Sequence, residues 1–361
     1  MALLFCRPIA FATAAGAAVL LAFPLSAAAR QRDVPSAGPL PAGAQLGQVR
    51  DAVVAKEVPV MHAARARTHA RVYSSSDGYR VEVEVSPSYP DDPATDQALV
   101  DFLASRLHGA ELGGLGVYVG TPAEIVRLCG GDPRVVACYA INEARMYVPG
   151  ENVDGIPVEY PLTHEYGHHV ASWRYNNPWD ALDWGAKHWA SAVRVCTHVE
   201  SGELFPGNQG RHYLDDPGEG FADGYAHVHY PSVPWQYNPL MRPGRSAIAA
   251  IRRDVLRPWT GNRSRTFRGR LGPGRGARKF KIRLTLDGDV SLRLAAPANA
   301  AYVVEAETRD FAAGRALRNG RGYGIEWCRR RPVEFVTLTV HRAPGERAPA
   351  GPFALTAEWP G

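Results

Sequence analysis

The sequence lacks the features that would set it apart from ordinary globular proteins. The formal net charge over 361 residues is only +5, and no run of basic residues is interleaved with aromatics, so we expect no nucleic-acid partner. Hydrophobic residues make up 45% and charged residues 21%, a balance typical of a folded chain rather than a disordered one. A lipoprotein cysteine would directly follow the N-terminal apolar run, but Cys6 precedes that run. The length suffices for two ordinary domains.

The N-terminus has the pattern of a secretory signal peptide over residues 1–29. Residues 9–25 are nearly all apolar or small, Arg7 supplies the preceding positive charge, and residues 27–29 offer an alanine cleavage site. The apolar run is shorter than the ~20 residues of a membrane-spanning helix, so we prefer a signal peptide to a membrane anchor. We therefore predict a secreted protein without stable membrane association after cleavage.

The remaining cysteines predict disulfide bonds. Four cysteines are left after Cys6, an even number that suggests pairing in an oxidising compartment. We favour Cys129–Cys138 because the short segment between them contains turn-forming glycine and proline. Cys196–Cys328 would follow by elimination and would join the two halves of the chain. The alternative is that Cys196 and Cys328 are buried free thiols.

Hydrophobic periodicity predicts an α+β domain over residues 71–260. Residues 30–70 show no sustained periodicity, and we interpret them as a linker or a short pro-segment. Strands are predicted at residues 79–86, 116–119, 138–141 and 145–148. Helices are predicted at residues 95–107, 121–128, 161–173, 180–196, 217–229 and 247–256.

A second domain of β-sandwich type is predicted over residues 261–361. Short alternating segments there are separated by glycine and proline turns, at residues 280–286, 290–294, 302–307, 333–340 and 353–358. Residues 263–283 contain nine basic residues and no acidic ones. Such a run is more typical of a solvated linker than of a surface that binds an acidic partner.

The segment His164-Glu165-Tyr166-Gly167-His168 carries the chemistry that the sequence predicts. On a helix, residues four apart share one face, so both imidazoles can bind one zinc ion at about 2.0–2.1 Å. Glu165 can then serve as general base for a water activated by zinc. The alternative is a pair of surface histidines without a metal.

A catalytic zinc needs a third protein ligand, and Glu219 is the best candidate. The alternative is that Glu219 only folds back on its own helix, because Asp216 and Glu219 also fit a capping box. Asp223 lies one turn further on the same face, where its carboxylate could accept the outer N–H of a zinc-bound histidine. His169 is expected to be packing or surface, and the tryptophans at 173, 179, 184 and 189 to be core rather than cleft.

At His164, Glu165, His168, Glu219 and Asp223 the chain resembles the zincin metallopeptidases, and among them the gluzincins. The resemblance implies a zincin fold over about residues 79–258, with an edge strand that pairs with an extended peptide; residues 145–148 are in the right order for that strand. The gap between His168 and Glu219 is longer than in thermolysin-like members, which places the chain outside that subfamily. The resemblance also implies a His or Tyr that stabilises the oxyanion, and the candidates are His227, His229, Tyr230, Tyr213 and Tyr225.

The C-terminal module is loosely similar to pre-peptidase C-terminal β-sandwich domains. This resemblance implies a role in substrate targeting or maturation. We therefore expect a secreted zinc metallopeptidase, with one catalytic Zn²⁺ and a peptide or protein substrate. Two alternatives stay open: a non-catalytic binding protein with a structural or vestigial zinc site, and a zinc amidase that acts on cell-wall crosslinks.

Overall fold

The computed structural model describes residues 30–41, 44, 50–54, 69–272, 276–297, 300–342 and 351–361. The predicted signal peptide lies outside these residues. Within this part of the chain, no helix is both long and apolar enough to cross a membrane. The described residues form a mixed α+β unit followed by a unit of antiparallel sheets.

The first unit contains a mixed six-stranded sheet. Its strands are β1 (Arg50–Val54), β2 (His69–Ser74), β3 (Arg80–Val85), β4 (Gly116–Gly120), β5 (Val135–Ala140) and β6 (Arg145–Pro149). Their spatial order is β1-β5-β6-β4-β3-β2. Strands β3, β4 and β6 run parallel, β5 runs antiparallel to β6, and β1 runs parallel to β5. The four predicted strands of this unit are confirmed as β3 to β6.

Four of the eight helices described in this unit have a side-chain hydrogen bond that caps their first turn. The eight helices are α1 (Pro93–Ala104), α2 (Pro122–Leu128), α3 (Glu159–Ser172), α4 (Ala181–Trp184), α5 (Lys187–Ala192), α6 (Val195–Glu200), α7 (Pro217–His229) and α8 (Arg245–Leu256). The predicted capping box of α2 is present, with Thr121 and Glu124 each accepting from the other's backbone. Asp216 caps α7, where its side chain accepts from the backbone N–H of Gly218.

The prediction of one helix over residues 180–196 is wrong, because this stretch contains α4, α5 and the start of α6. Gly185 adopts a φ of 75°, which ends α4, and Arg194 adopts a φ of 58° immediately before α6. A left-handed residue cannot continue a right-handed helix, so each of these positions breaks it. The apolar stripe that suggested one helix arises instead because α5 and α6 both pack into the core.

Two further expectations about the first unit concern residues 30–70 and 145–148. Part of residues 30–70 is integrated into the fold, because β1 is a strand of the sheet and Arg32 forms a buried ion pair with Asp96 at 2.6 Å. These parts do not form a linker, and the short pro-segment stays a prediction. The strand at residues 145–148 is not an edge strand, because β6 lies between β5 and β4. The outer side of β5 faces β1 instead, so β5 would be the edge if β1 were absent.

Helix α3 runs through the centre of the first unit. It packs on one side against β5 and β6 and on the other against α7. Every residue from Glu159 to Ala171 is buried. A helix buried all round accommodates polar side chains only where they have partners or a ligand, which makes its histidines informative.

The second unit consists of two four-stranded antiparallel sheets that share one apolar core. Its strands are β7 (Arg263–Leu271), β8 (Ala277–Leu284), β9 (Gly288–Ala295), β10 (Ala301–Glu307), β11 (Ala312–Arg318), β12 (Gly322–Trp327), β13 (Glu334–Arg342) and β14 (Gly351–Trp359). The preference for a solvated linker at residues 263–283 is wrong, since β7 and β8 occupy that stretch. Both lie at sheet edges, where basic side chains oppose edge-to-edge association. Strands β11 and β12 were not predicted.

Both predicted disulfide pairings are present. Cys129–Cys138 has a Cα–Cα distance of 5.8 Å, and Cys196–Cys328 has one of 5.2 Å. The second bond joins α6 to the segment after β12 and so links the two units. Beside it, Arg329 forms a buried ion pair with Asp287 at 3.0 Å, which adds a polar contact at the same junction.

Candidate metal centre

The two histidines of α3 lie on the face of the helix that packs against α7. Both side chains are buried, and their ring centroids are 5.1 Å apart. The four-residue spacing places one ring a turn above the other, with both Nε2 atoms directed to the same point. The sequence prediction of a shared direction for His164 and His168 is therefore met.

Helix α7 brings Glu219 to the same point because it packs very closely against α3. A Cβ atom on Gly167 would lie only 2.8 Å from the Cα of Ala222, so glycine is required at this crossing. Glu219 Oε2 is 3.5 Å from His164 Nε2 and 3.4 Å from His168 Nε2. Its other oxygen accepts a hydrogen bond from Gln209 at 3.0 Å. The carboxylate thus faces the histidines rather than capping its own helix.

A fourth group, which the sequence did not indicate, completes the cluster. Asp51 Oδ2 is 3.1 Å from His164 Nε2 and 2.8 Å from His168 Nε2. The Asp51 side chain is buried, and the hydroxyl of Tyr213 donates a hydrogen bond to its Oδ1. Asp51 lies in a segment without a long periodic pattern, and the brief run Ala52-Val53-Val54 is the only local sign of a strand.

The donor set fits a divalent cation. Ligand atoms about 2.0–2.1 Å from a tetrahedral ion lie roughly 3.3 Å from one another, close to the separations between Glu219 and the two histidines. All four donor atoms fall within 4.8 Å of one another. Glu219 Oε2 is buried and has no hydrogen-bond partner among the described residues, as expected of an atom that faces an ion. The buried cluster of Asp51, His164, His168 and Glu219 could therefore hold a metal ion.

The electrostatics of the cluster also favour a positive charge. Burial lowers the pKa of His168, but the charges of Glu219 and Asp51 and the hydrogen bonds to both carboxylates together outweigh it and raise that pKa to about 10. Burial also lowers the pKa of His164, but the charge of Asp51, together with hydrogen bonds to the surrounding carboxylates, raises that pKa well above the usual value. Two buried carboxylates thus draw either protons or a cation to the imidazoles.

Glu165 is fully buried beside this cluster, and neither of its carboxylate oxygens has a hydrogen-bond partner among the described residues. Burial raises its pKa well above the usual value, and the negative charge of Asp51 raises it further. A buried carboxylate without a partner is costly, and a raised pKa of this kind is common among residues of functional sites.

Asp223 lies beside Nδ1 of His164, the ring nitrogen that points away from the cluster. Its Oδ1 is 3.6 Å from His164 Nδ1, and the same oxygen accepts a hydrogen bond from the hydroxyl of Tyr160. The carboxylate is thus held in place and can orient the imidazole. His168 Nδ1 has no such partner among the described residues.

Of the five residues considered for oxyanion stabilisation, Tyr213 directly contacts the cluster. Its hydroxyl is also 3.0 Å from that of Tyr237, a second buried tyrosine that the sequence did not single out. The other four have contacts elsewhere: His229 and Tyr225 bond the backbone of Leu107, Tyr230 bonds Arg106, and His227 packs edge-on against Trp235.

His169 and the tryptophans near it are the remaining residues for which the sequence predicted a position. The ring of His169 is bonded to the hydroxyl of Tyr139 at 3.0 Å and to the carbonyl of Glu111 at 2.9 Å, so it is a packing residue as predicted. Trp189 is fully buried in the core, whereas Trp173 is 48% exposed, so the prediction of a tryptophan core holds only in part.

Comparisons with known proteins assign no family. No family model matches the sequence, and no curated protein matches it. Among solved structures, the mitogen derived from Yersinia pseudotuberculosis matches with 12% sequence identity and a TM-score of 0.22, covering 27% of this chain and 86% of that chain. A similarity at this level carries no argument about fold or function.

Proposed function

We propose that this chain is a secreted zinc-dependent peptidase of the zincin type. The observation that carries the proposal is the convergence of His164 and His168 from one helix with Glu219 from another, beside the unpartnered carboxylate of Glu165. Two imidazoles and a carboxylate are a donor set that catalytic zinc sites use. The two disulfides are compatible with an extracytoplasmic location.

In this proposal, zinc would supply Lewis-acid polarisation of a peptide carbonyl and a lowered pKa for an attacking water. Glu165 would accept the proton of that water and pass it to the leaving amine. Its raised pKa suits a group that must both accept and release a proton. Asp223 would keep His164 in the tautomer that leaves Nε2 free to bind the metal.

Tyr213 is our candidate for oxyanion stabilisation. Its hydroxyl already donates to a carboxylate oxygen of Asp51, and Asp51 contributes its other oxygen to the metal cluster. The two oxygens of this carboxylate are placed like the two oxygens that a peptide carbonyl carbon carries after addition of water, one beside the histidines and one at a hydroxyl donor. A peptide carbonyl at that place would receive the same hydrogen bond as negative charge develops on its oxygen.

A closed structural metal site is the second candidate, and a specific observation favours it. Asp51 gives the cluster four protein donors, the number typical of structural zinc sites, whereas catalytic sites have three. In that case the first unit would be a metal-stabilised scaffold, and the chain would act by binding.

The two candidates predict different effects of Glu165→Gln on peptide cleavage. We use the Asp51→Ala chain because it lacks the fourth protein donor. Loaded with zinc, this chain should cleave a mixed peptide library in a chelator-sensitive manner, and mass spectrometry identifies the cleavage sites. Adding Glu165→Gln should retain one zinc per chain and lower cleavage by on the order of 10²–10⁴-fold, the usual contribution of a general base.

Glu200→Gln, at a carboxylate exposed on α6, is the matched control and should leave cleavage unchanged. Equal cleavage with and without the Glu165 carboxylate would remove that residue from the mechanism. Absence of cleavage in every zinc-loaded variant would favour the structural site.

A further inference from the structure

We propose that the N-terminal strand β1 is an intramolecular plug that holds the site latent, with the Asp51 carboxylate at the coordination position a substrate needs. This inference rests on the proposed function, because a plug has meaning only for a site that reacts. It concerns the chain's own residues 50–54, which were expected to belong to a linker or a short pro-segment.

Asp51 lies where a substrate group would have to bind. Catalytic zinc sites keep one position free of protein ligands. Asp51 Oδ2 is 3.1 Å from His164 Nε2 and 2.8 Å from His168 Nε2, so it adds a fourth protein donor to the three from the helices. While this carboxylate stays in place, it occupies the position that a substrate carbonyl would take.

The main chain of β1 occupies the side of β5 that would otherwise be a free sheet edge. Strand β1 pairs in parallel along β5, with Asp51 opposite Ala137 and Val54 opposite Ala140. Without β1, this row of β5 backbone groups would be the free edge of the sheet beside the metal site. An extended peptide that added to the sheet there would need the same hydrogen-bonding groups. Strand β1 and such a peptide therefore exclude each other.

Two side chains at the metal cluster, Tyr213 and Gln209, also bind the backbone of β1. The hydroxyl of Tyr213 accepts a hydrogen bond from the Asp51 N–H at 3.2 Å while it donates to the Asp51 carboxylate. Gln209 accepts from the Val53 N–H at 3.0 Å and donates to Glu219 at 3.0 Å. Groups that line the site are thus occupied by the strand, in the way they would be occupied by a bound peptide.

Strand β1 has few apolar anchors among its described side chains. Those of Arg50, Ala52 and Val53 are only partly buried, whereas the carboxylate of Asp51 is deeply buried. Ala52 and Val53 contact the core with these partly buried side chains, so backbone hydrogen bonds and one buried carboxylate are the main contacts that hold the described part of the strand. A segment anchored in this way can leave without opening the core of the first unit.

A cobalt-substituted full-length chain provides the test, because Co²⁺ reports its ligands through its visible absorption. Acetohydroxamate is the probe, since it binds only where the metal has an accessible position. We compare the unaltered chain with Asp51→Ala and Asp51→Asn, and with Asp101→Ala as control, because Asp101 is an exposed carboxylate on α1. Thermal unfolding verifies that every variant is folded.

We expect both Asp51 variants to retain one Co²⁺ per chain and to bind acetohydroxamate at least tenfold more tightly than the unaltered chain and the control. With zinc, peptide cleavage should rise at least tenfold in Asp51→Ala. Equal hydroxamate affinity in all four proteins, or loss of the metal from both Asp51 variants, would overturn the plug. If both Asp51 variants bind acetohydroxamate more tightly but cleave no peptide, the result would support the plug and contradict the peptidase function.

Discussion

The close crossing of α3 and α7 makes Gly167→Ala an informative perturbation. The added Cβ would lie 2.8 Å from the Cα of Ala222 and 2.9 Å from its carbonyl oxygen. Carbon atoms in contact are normally about 3.5–4.0 Å apart, so the helices must separate by roughly 0.7–1.2 Å. Metal sites tolerate ligand displacements of only about 0.2 Å. The substitution should therefore move Glu219 away from the histidines.

We expect the zinc affinity of Gly167→Ala to fall by on the order of 10–100-fold, the range seen when the support of a ligand is removed. Overpacking should also destabilise the fold by about 1–3 kcal/mol, which offsets the gain of up to ~1 kcal/mol from replacing glycine inside a helix. Competition with a chromophoric chelator measures the affinity, and urea unfolding of the metal-free chain measures the stability.

Gly224→Ala is the matched control on α7. Its Cβ would meet the end of the flexible Ile251 side chain at 3.2 Å and Trp189 Nε1 at 3.6 Å, so a small adjustment suffices. This variant should keep its zinc affinity within about twofold, well inside the 1.4 kcal/mol that a tenfold change represents. If Gly167→Ala were more stable than the unaltered chain and bound zinc equally well, our account of how Glu219 is positioned would be refuted.

Two further predictions concern Tyr213 and the acid sensitivity of the fold. In the Asp51→Ala background, Tyr213→Phe should lower kcat by on the order of 10²–10³-fold with little change in KM, as steady-state kinetics would show; an unchanged kcat would exclude the hydroxyl from oxyanion stabilisation. Burial lowers the pKa of His229 to about 4, and the nearby charge of Arg106 adds to this. Between about pH 4 and 6.5 the unfolded chain, whose histidine pKa is about 6.5, binds more protons at this position than the folded chain. The stability that is present above pH 6.5 is therefore lost as the pH falls. His229→Gln should flatten this loss in urea unfolding midpoints measured from pH 7 to 4, and an unchanged slope would show that His229 does not contribute.

The local signals in the sequence predicted much of the first unit. Asp216, followed by Pro217, marks the start of α7, and the Thr121–Glu124 capping box marks that of α2. Both rest on hydrogen bonds between residues three or fewer positions apart, so they can be recognised without knowing the tertiary structure. The same holds for the spacing of His164 and His168 on one helix face.

What the sequence could not indicate depends on contacts between distant segments. Asp51 meets His168 across 117 positions, and no local pattern marks such a pairing. The breaks at Gly185 and Arg194 depend on backbone angles that tertiary packing imposes. Strand β7 was missed because most of its residues are exposed, as in many edge strands, so it shows little of the apolar alternation of a half-buried strand. The roles expected for the C-terminal unit in targeting or maturation stay predictions.

The central claim is that Glu219 and the two histidines bind one zinc ion in the folded chain. X-ray absorption at the zinc edge tests it directly, on the zinc-loaded chain and on Asp51→Ala and Glu219→Ala. We predict two imidazole nitrogens and carboxylate oxygen at about 2.0–2.2 Å, with one protein oxygen fewer in each single variant. A zinc shell without imidazole scattering, or one that Glu219→Ala leaves unchanged, would contradict the account.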